Sequence, residues 1–580
     1  MPLEFTVELT QVEEYIDKGQ FHEALQVLNN KKNQIDSSSE QKVSFNYLKT
    51  ICLSMLGQDE EALQIARDIY QTYEETNNFL GMLNSSIIIA ESLAWLGKQE
   101  KAIDILEKCD NMFKKIPKLQ SNTQGSIKAH LFCIKGMVYS RKGEFENAIY
   151  YLDRSIALGE QYSNIQDIIQ IYYNYGYLLF MRGEIIKALT YYEKALSHSK
   201  EGFNRYITRI LNAIGVVKQA QGHLDQALVY YEQALEIATK MNCKRDIAGI
   251  LDNIGELYQA KGNFSQSQRY FNRSLKILEK LDAISVIVNV IFSLFQGTLN
   301  LGDFKKAEYY LSYIEEINNR EENETINSFY LLSKALILKD NPGIKNIAKA
   351  EEILKQIIGK KLTIYEVKRE AILNLCDIYL TELKTTSNLE ILEEIQPLIS
   401  QLFFLAKKNY SHSLLAETYL LQARLALIKL EFKEARQLLT QGQKIAENYD
   451  LTFLAIKISN EHDELLKELG KWEDNKETKA SIEQRINLSH LGEHMNLMLK
   501  KQIEKPKEII SEVPVAIFII SEGGVLLFSH SFDEKFKNFK DHLFEGLLTA
   551  INAFSDEMFS EGLDRASFGR YTILINSISP

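Results

Sequence analysis

A glycine followed five positions later by an alanine recurs through the first half of this 580-residue chain. The pair stands at Gly19/Ala24, Gly57/Ala62, Gly97/Ala102, Gly143/Ala148, Gly183/Ala188, Gly222/Ala227 and Gly302/Ala307, with Ser267 replacing the alanine after Gly262. Successive glycines are 38 to 46 residues apart, most of them 39 or 40. Self-similarity at such a period marks a repeat array, in which each unit buries its apolar face against its neighbours. The same regularity excludes most other architectures before composition is consulted.

Each unit reads as two helices. In the unit around Gly222, residues Ile210, Leu211, Ile214 and Val217 share one helical face. Gly222 ends that helix, because glycine accepts a left-handed cap. Asp225, Gln226 and Ala227 open the second helix, with Leu228, Tyr231, Leu235 and Ala238 turned inward. Small side chains at Gly215, Ala227 and Ala234 fall where the two backbones must approach. Tyrosine pairs recur at one point of the repeat, at 150/151, 191/192, 230/231 and 309/310. One member of each pair is expected in the core and the other at the surface. Only seven prolines occur, as long uninterrupted helices require.

These residues resemble the tetratricopeptide repeat (TPR) family. Its signature, a Leu-Gly pair followed by Tyr, Ala, an aromatic residue and Ala, is matched by Ile214-Gly215, Ala227, Tyr231 and Ala234. The next unit gives Ile254-Gly255, Tyr258, Ser267, Phe271 and Ser274; the preceding ones give Tyr175-Gly176, Ala188, Tyr192 and Ala195, and Gly136, Tyr139 and Ala148. Two departures stand out: the period exceeds the usual 34 or so residues, and the early Trp and terminal Pro are absent. The chain looks like the longer-helix variety found in adaptor scaffolds. The resemblance implies an all-α superhelical solenoid of antiparallel helix pairs, regular over 1–310 and irregular over 311–470.

The remainder differs in character. Residues 471–508 are polar, with an amphipathic stretch at Ile482, Ile486, Leu491, Met495 and Met498, and read as a linker and a helix capping the array. Residues 509–580 read as a small α/β module. Strands are expected at 515–520, 525–528 and 571–575, a turn at Gly523-Gly524, and a helix over 536–559. This order is similar to part of a longin- or roadblock-type domain cut short. It implies contact with a small GTPase, or homodimerisation through an open strand edge.

Composition narrows function. The chain carries 67 Lys and Arg against 78 Asp and Glu, a net charge of -11, with no basic run. Nucleic-acid binding is therefore not expected. The longest apolar stretch, 283–295, is broken by Ser285, Asn289 and Ser293 and is too short for a membrane span. Five scattered cysteines, never as CxxC, point to free thiols and a cytoplasmic location. Cys133, Cys243 and Cys376 lie on apolar helical faces and read as core, without a histidine to activate them. No phosphate-loop motif accompanies Gly523-Gly524.

His490, Glu493 and His494 match the H-x-x-E-H metalloprotease pattern. Gly492 and the shortage of following chain argue against it, so a metallohydrolase is the least favoured reading and no metal or cofactor is expected. The leading expectation is a non-enzymatic scaffold that binds a protein or peptide in a concave groove. The family resemblance implies that first-helix side chains line it, and by position these are Tyr173, Asn174, Tyr177, Asn212, Gln219, Asp252, Asn253, Glu256 and Gln259. The alternative is a signalling regulator that contacts a small GTPase through the C-terminal module.

Overall fold

The structure is a computed structural model that describes residues 2–17, 20–31, 39–115, 121–199, 206–281, 284–321, 323–341, 343–360, 365–467, 481–502, 516–520, 526–532, 565–568 and 571–574. Among them are eleven consecutive helix pairs and a twelfth first helix. The pairs are α1 (Pro2–Asp17) and α2 (Phe21–Lys31), α3 (Ser39–Leu56) and α4 (Asp59–Glu75), α5 (Phe79–Trp95) and α6 (Gln99–Lys115), and α7 (Ser121–Lys142) and α8 (Phe145–Tyr162). They continue with α9 (Ile165–Met181) and α10 (Ile185–Ser199), α11 (Ile207–Ala220) and α12 (Leu224–Lys240), α13 (Lys244–Ala260) and α14 (Phe264–Leu278), and α15 (Ile284–Asn300) and α16 (Phe304–Glu321). Then come α17 (Glu324–Asp340) and α18 (Ile344–Gly359), α19 (Tyr365–Thr386) and α20 (Ile391–Lys408), α21 (His412–Ile428) and α22 (Phe432–Asn448), and finally α23 (Thr452–Lys467).

The repeat chemistry explains the pairs. Each periodic loop glycine from Gly57 to Gly302 takes a φ between 71° and 87°, so the chain reverses with no Cβ penalty. Inside the pairs, Gly176, Gly215 and Gly255 lie against the rings of Tyr192, Tyr231 and Phe271. A Cβ built on them would stand 2.7, 2.5 and 2.6 Å from those rings. Ala227 and Ala234 are fully buried at the same crossing. Tyr192, Tyr231 and Tyr310 fill the core, while Tyr309 is 62% exposed. The 150/151 pair departs from this register. Tyr150 is exposed, Tyr151 is half-buried, and Leu152 takes the core position beside Gly136.

The array coils back on itself. Gly57, between α3 and α4, accepts a bond from Arg245 at the start of α13 (3.1 Å). Gly183 abuts Tyr410 just before α21 and His412 at its start, and Gly222 abuts Phe453 on α23. Gln221 donates to Asp450 at 2.6 Å. In each case a loop inside one pair meets the connection between two pairs about five pairs later, so one superhelical turn rests on the next.

Two further helices, α24 (Ile482–Leu488) and α25 (Leu491–Lys500), form a hairpin. The amphipathic segment expected to cap the array packs chiefly against α19 and α21, on the inner side of the coil. Beyond it lie two separate antiparallel hairpins: β1 (Ala516–Ile520) with β2 (Leu526–Ser531), and β3 (Arg565–Phe568) with β4 (Tyr571–Leu574). β3 was not anticipated. The helix expected over 536–559 lies outside the described residues. No described helix is long and apolar enough to cross a membrane.

Candidate functional site

First helices face the axis of the coil, and because one turn rests on the next they enclose a chamber of about 370 Å³. One wall comes from α11 and α13, with Gln219, Asn253, Glu256 and Gln259. The facing wall comes from α19, α21 and α23, with Arg369, Glu417 and Lys457. His494, Leu497 and Met498 of α25, followed by Lys501 and Gln502, close one side.

The chamber is polar and charged in a confined space. Solvent reaches Glu256 within the lumen, although protein crowds it on every side. Burial pushes the Glu256 carboxyl up, and Lys501 offsets this only in part. Its neighbour on the preceding turn of α13, Asp252, is pushed up to about 8 by burial and by the Glu256 charge. Burial also raises Glu417, against the pull of Arg369 and Lys457. Burial opposes the charge on Arg369, but Glu370 overrides it with a 2.6 Å bond to the guanidinium. His494 is nearly inaccessible. Burial and the charges of Arg424 and Lys457 hold its imidazole well below 6.5, so it is neutral at pH 7. Nε2 meets the Glu417 carbonyl at 3.3 Å, and Nδ1 has no partner among the described residues.

The nine residues expected to line a groove divide into three groups. Gln219, Asn253, Glu256 and Gln259 share the chamber, with Asp252 beside it. Gln219 is turned by the Tyr231 hydroxyl, which donates to it at 2.9 Å. Asn253 donates to Asn212 at 2.8 Å, so these two amides form a ladder between successive first helices. Asn174 is buried and donates to Cys133 Sγ at 3.2 Å, a structural contact. Tyr173 and Tyr177 belong to a separate aromatic and arginine cluster centred on Trp95. The guanidinium of Arg141 stands 3.8 Å from the Trp95 ring centroid and 5.9 Å from that of Tyr177. Arg209 and Arg245 approach the same indole at 4.9 and 5.5 Å.

Arg369, Glu417, Lys457, His494 and Lys501 were not foreseen. They come from a later turn of the coil, and repeat position does not mark them. One signal was available: Glu417 and Arg424 are the only carboxylate and the only Lys or Arg in α21, seven residues apart on one face.

Among the described residues no group of three or more His, Cys, Asp or Glu is placed to hold a metal ion. His490 precedes α25 in a left-handed conformation, half-exposed beside Glu493 at 3.4 Å, whereas His494 is buried against α21. The five cysteines are buried, and burial pushes the thiols of Cys52, Cys133 and Cys243 to about 12, which suits core packing.

Comparison with family models agrees with the helix-pair fold. The model of the MalT-like TPR region matches residues 168–471, just over half of the chain. The chain belongs to the MalT-like TPR family. A tetratricopeptide repeat model also matches residues 129–201. No curated protein matches in sequence. Similar solved structures include a Rap protein complexed with Competence and Sporulation Factor, at 14% identity over 70% of this chain and 99% of that one, with a TM-score of 0.45. The apo quorum sensor NprR from B. thuringiensis is 18% identical over 61% of this chain and 97% of that one, with a TM-score of 0.45. NprR in complex with its cognate peptide NprX is 17% identical, over 63% and 99%, with a TM-score of 0.41. In this MalT-like TPR chain the chamber lies wholly within the family-matched helices, apart from the wall contributed by α25.

Proposed function

We propose that this MalT-like TPR chain is a non-enzymatic interaction scaffold that holds a peptide or protein segment in its concave chamber. The observation that carries this reading is the convergence of Gln219, Asn253, Glu256 and Gln259 on one lumen, opposite Arg369, Glu417 and Lys457. Amide side chains match both groups of a peptide backbone. The flanking acids and bases match charged side chains or a terminus. Catalysis would need a nucleophile or a poised base aimed at a reacting atom. The chamber offers amides, paired charges and a neutral imidazole bonded to a main-chain carbonyl.

The test is a photo-crosslinker installed at Asn253, with a second at the outward-facing Tyr309 as control, followed by mass spectrometry from native cells. A partner captured at 253 and not at 309 is the expected outcome. Equal capture at both sites, or none at 253, rejects the reading.

The strands after residue 515 support a second contact. Phe528 and Phe532 are each about half exposed beside β2 (51% and 52%). Nucleotide-dependent binding of a small GTPase is expected to vanish on deletion of 510–580 and to leave capture at 253 intact. Unchanged GTPase binding after the deletion removes this second contact.

A further inference from the structure

The hairpin of α24 and α25 is built like a ligand of the groove. Ser481 and Gln484 start it with a reciprocal capping box, and His490 turns the chain between the helices at a φ of 49°. One face carries Ile482, Ile486, Leu491, Met495 and Met498, all buried, and the opposite face carries exposed Glu483, Gln484, Glu493 and Asn496. The apolar side chains of α25 stand at i, i+4 and i+7, the spacing by which an amphipathic helix enters a groove.

What they enter is the inner surface of α19 and α21, first helices of pairs whose inner faces form the chamber. Four polar contacts seat the hairpin. Arg424 donates to the His490 carbonyl at 2.6 Å, and Arg485 donates to the Ile428 carbonyl at 3.3 Å. His494 meets the Glu417 carbonyl at 3.3 Å, and Lys501 lies 3.7 Å from Glu370. The seat also holds two buried polar atoms without a partner among the described residues, His494 Nδ1 and Arg424 Nε. An interface with unpaired polar atoms favours its closed form less than a fully apolar core would. Its polarity matches surfaces that part and re-form.

The space that remains sets the consequence. With α25 in place the chamber is about 370 Å³, near the lower end of the roughly 300–1,000 Å³ of drug-sized ligand sites. A segment spanning α9 to α13 crosses three first helices at about 8–10 Å each. It needs six or more extended residues at ~3.3 Å apiece, and Leu497, Met498 and Lys501 line the chamber on the side facing the α11 and α13 wall.

We propose that residues 481–502 are a displaceable intramolecular occupant of a helix-receiving groove on α19 and α21. Its partner in trans is an amphipathic helix with large apolar side chains at i, i+4 and i+7 and a cation at i+10, the pattern of Leu491, Met495, Met498 and Lys501. This rests on the concave face being the binding surface. The partner helix binds where the hairpin lay and takes over the side of the chamber that α25 forms.

The probe is a fluorescent synthetic peptide of residues 481–502, titrated onto the full chain by anisotropy. Binding to wild type should be at least ~10-fold weaker than to Met495→Asp, because the resident helix competes in the former and is loosened in the latter. Hydrogen exchange across 482–500 should rise in the variant while α13 and α14 keep their protection. Arg485→Ala, which removes one seating bond, should give a smaller shift in the same direction and serves if Met495→Asp misfolds. A peptide carrying Met495→Asp should not bind. Equal affinity of wild type and both variants for the native peptide overturns the proposal. So does a concentration-dependent dimer that exchanges hairpins, since the occupant would then be a second copy. Crosslinking at 253 that fails while peptide competition persists faults the scaffold reading alone.

Discussion

At the residue scale, small side chains set how closely the paired helices approach. Gly215 faces the Tyr231 ring so tightly that an added Cβ would sit 2.5 Å from Cε1. Gly215→Val is expected to lower stability by about 2–3 kcal/mol, measured by urea denaturation, because the Tyr231 ring it would strike is itself buried and has no free space to move into. Ser387, exposed at a φ of 55°, pays for a left-handed conformation that glycine adopts freely. Ser387→Gly should gain about 0.5–1 kcal/mol on the same assay.

Asp252 behaves oppositely to most carboxylates. Its folded value is raised to about 8 from 3.8, so the folded chain holds a proton that the unfolded chain releases. Its contribution to stability is largest below about pH 4 and falls as pH rises toward 8. Asp252→Asn should therefore stabilise the chain by about 1–3 kcal/mol at pH 8.5 and have little effect near pH 4. Thermal melts of both proteins across that range read the difference directly; a constant offset between the two curves would contradict it.

At the scale of elements, each pair is a local solution and each neighbour completes it. Glycines at the turns and apolar faces at helical spacing were legible in the chain from Gly57 to Gly302, because both follow from local geometry. The segment 481–502 was legible as an amphipathic helix, but its seat was not. Nothing in Leu491, Met495 and Met498 says whether the covering surface is the last repeat or an inner face formed a hundred residues earlier.

The buried His494 gives that contact a pH dependence. Arg424 from α21 and Lys457 from α23 repel a proton on it, while the Glu417 carbonyl, also from α21, favours one. Its folded value lies below the unfolded value near 6.5, so its contribution is complete above that pH and is lost as pH falls. Protection factors of 491–500, corrected for the intrinsic exchange rate at each pH, should fall by about tenfold or more between pH 7.5 and 5. His494→Gln should abolish most of that fall in protection.

For the whole molecule, the decisive event is one turn of the coil coming to rest on another. Trp95, at the end of α5, is approached by Arg141 from α7, Arg209 from α11 and Arg245 from α13. Arg245 also pairs with Asp59 and bonds the Gly57 carbonyl, and Arg209 pairs with Asp246 at 3.2 Å. Cation–π contacts contribute about 0.5–2 kcal/mol each. Trp95→Ala should therefore destabilise the first turn by roughly 2–4 kcal/mol and increase the radius of gyration in solution scattering. An unchanged scattering profile would show that the turns do not depend on this cluster.

What the sequence determined by itself is whatever repeats: helix pairs, their period, the glycine turns, and the entry of one tyrosine of most pairs into the core. These depend on contacts within about forty residues, and such contacts leave a periodic trace. The chamber is different. Asn253 and Glu256 could be assigned to an inner face from their place in the repeat, but Arg369, Glu417, Lys457 and His494 meet them only because the coil closes after about five pairs. That closure is the sum of small rotations between successive units, and no single residue encodes it.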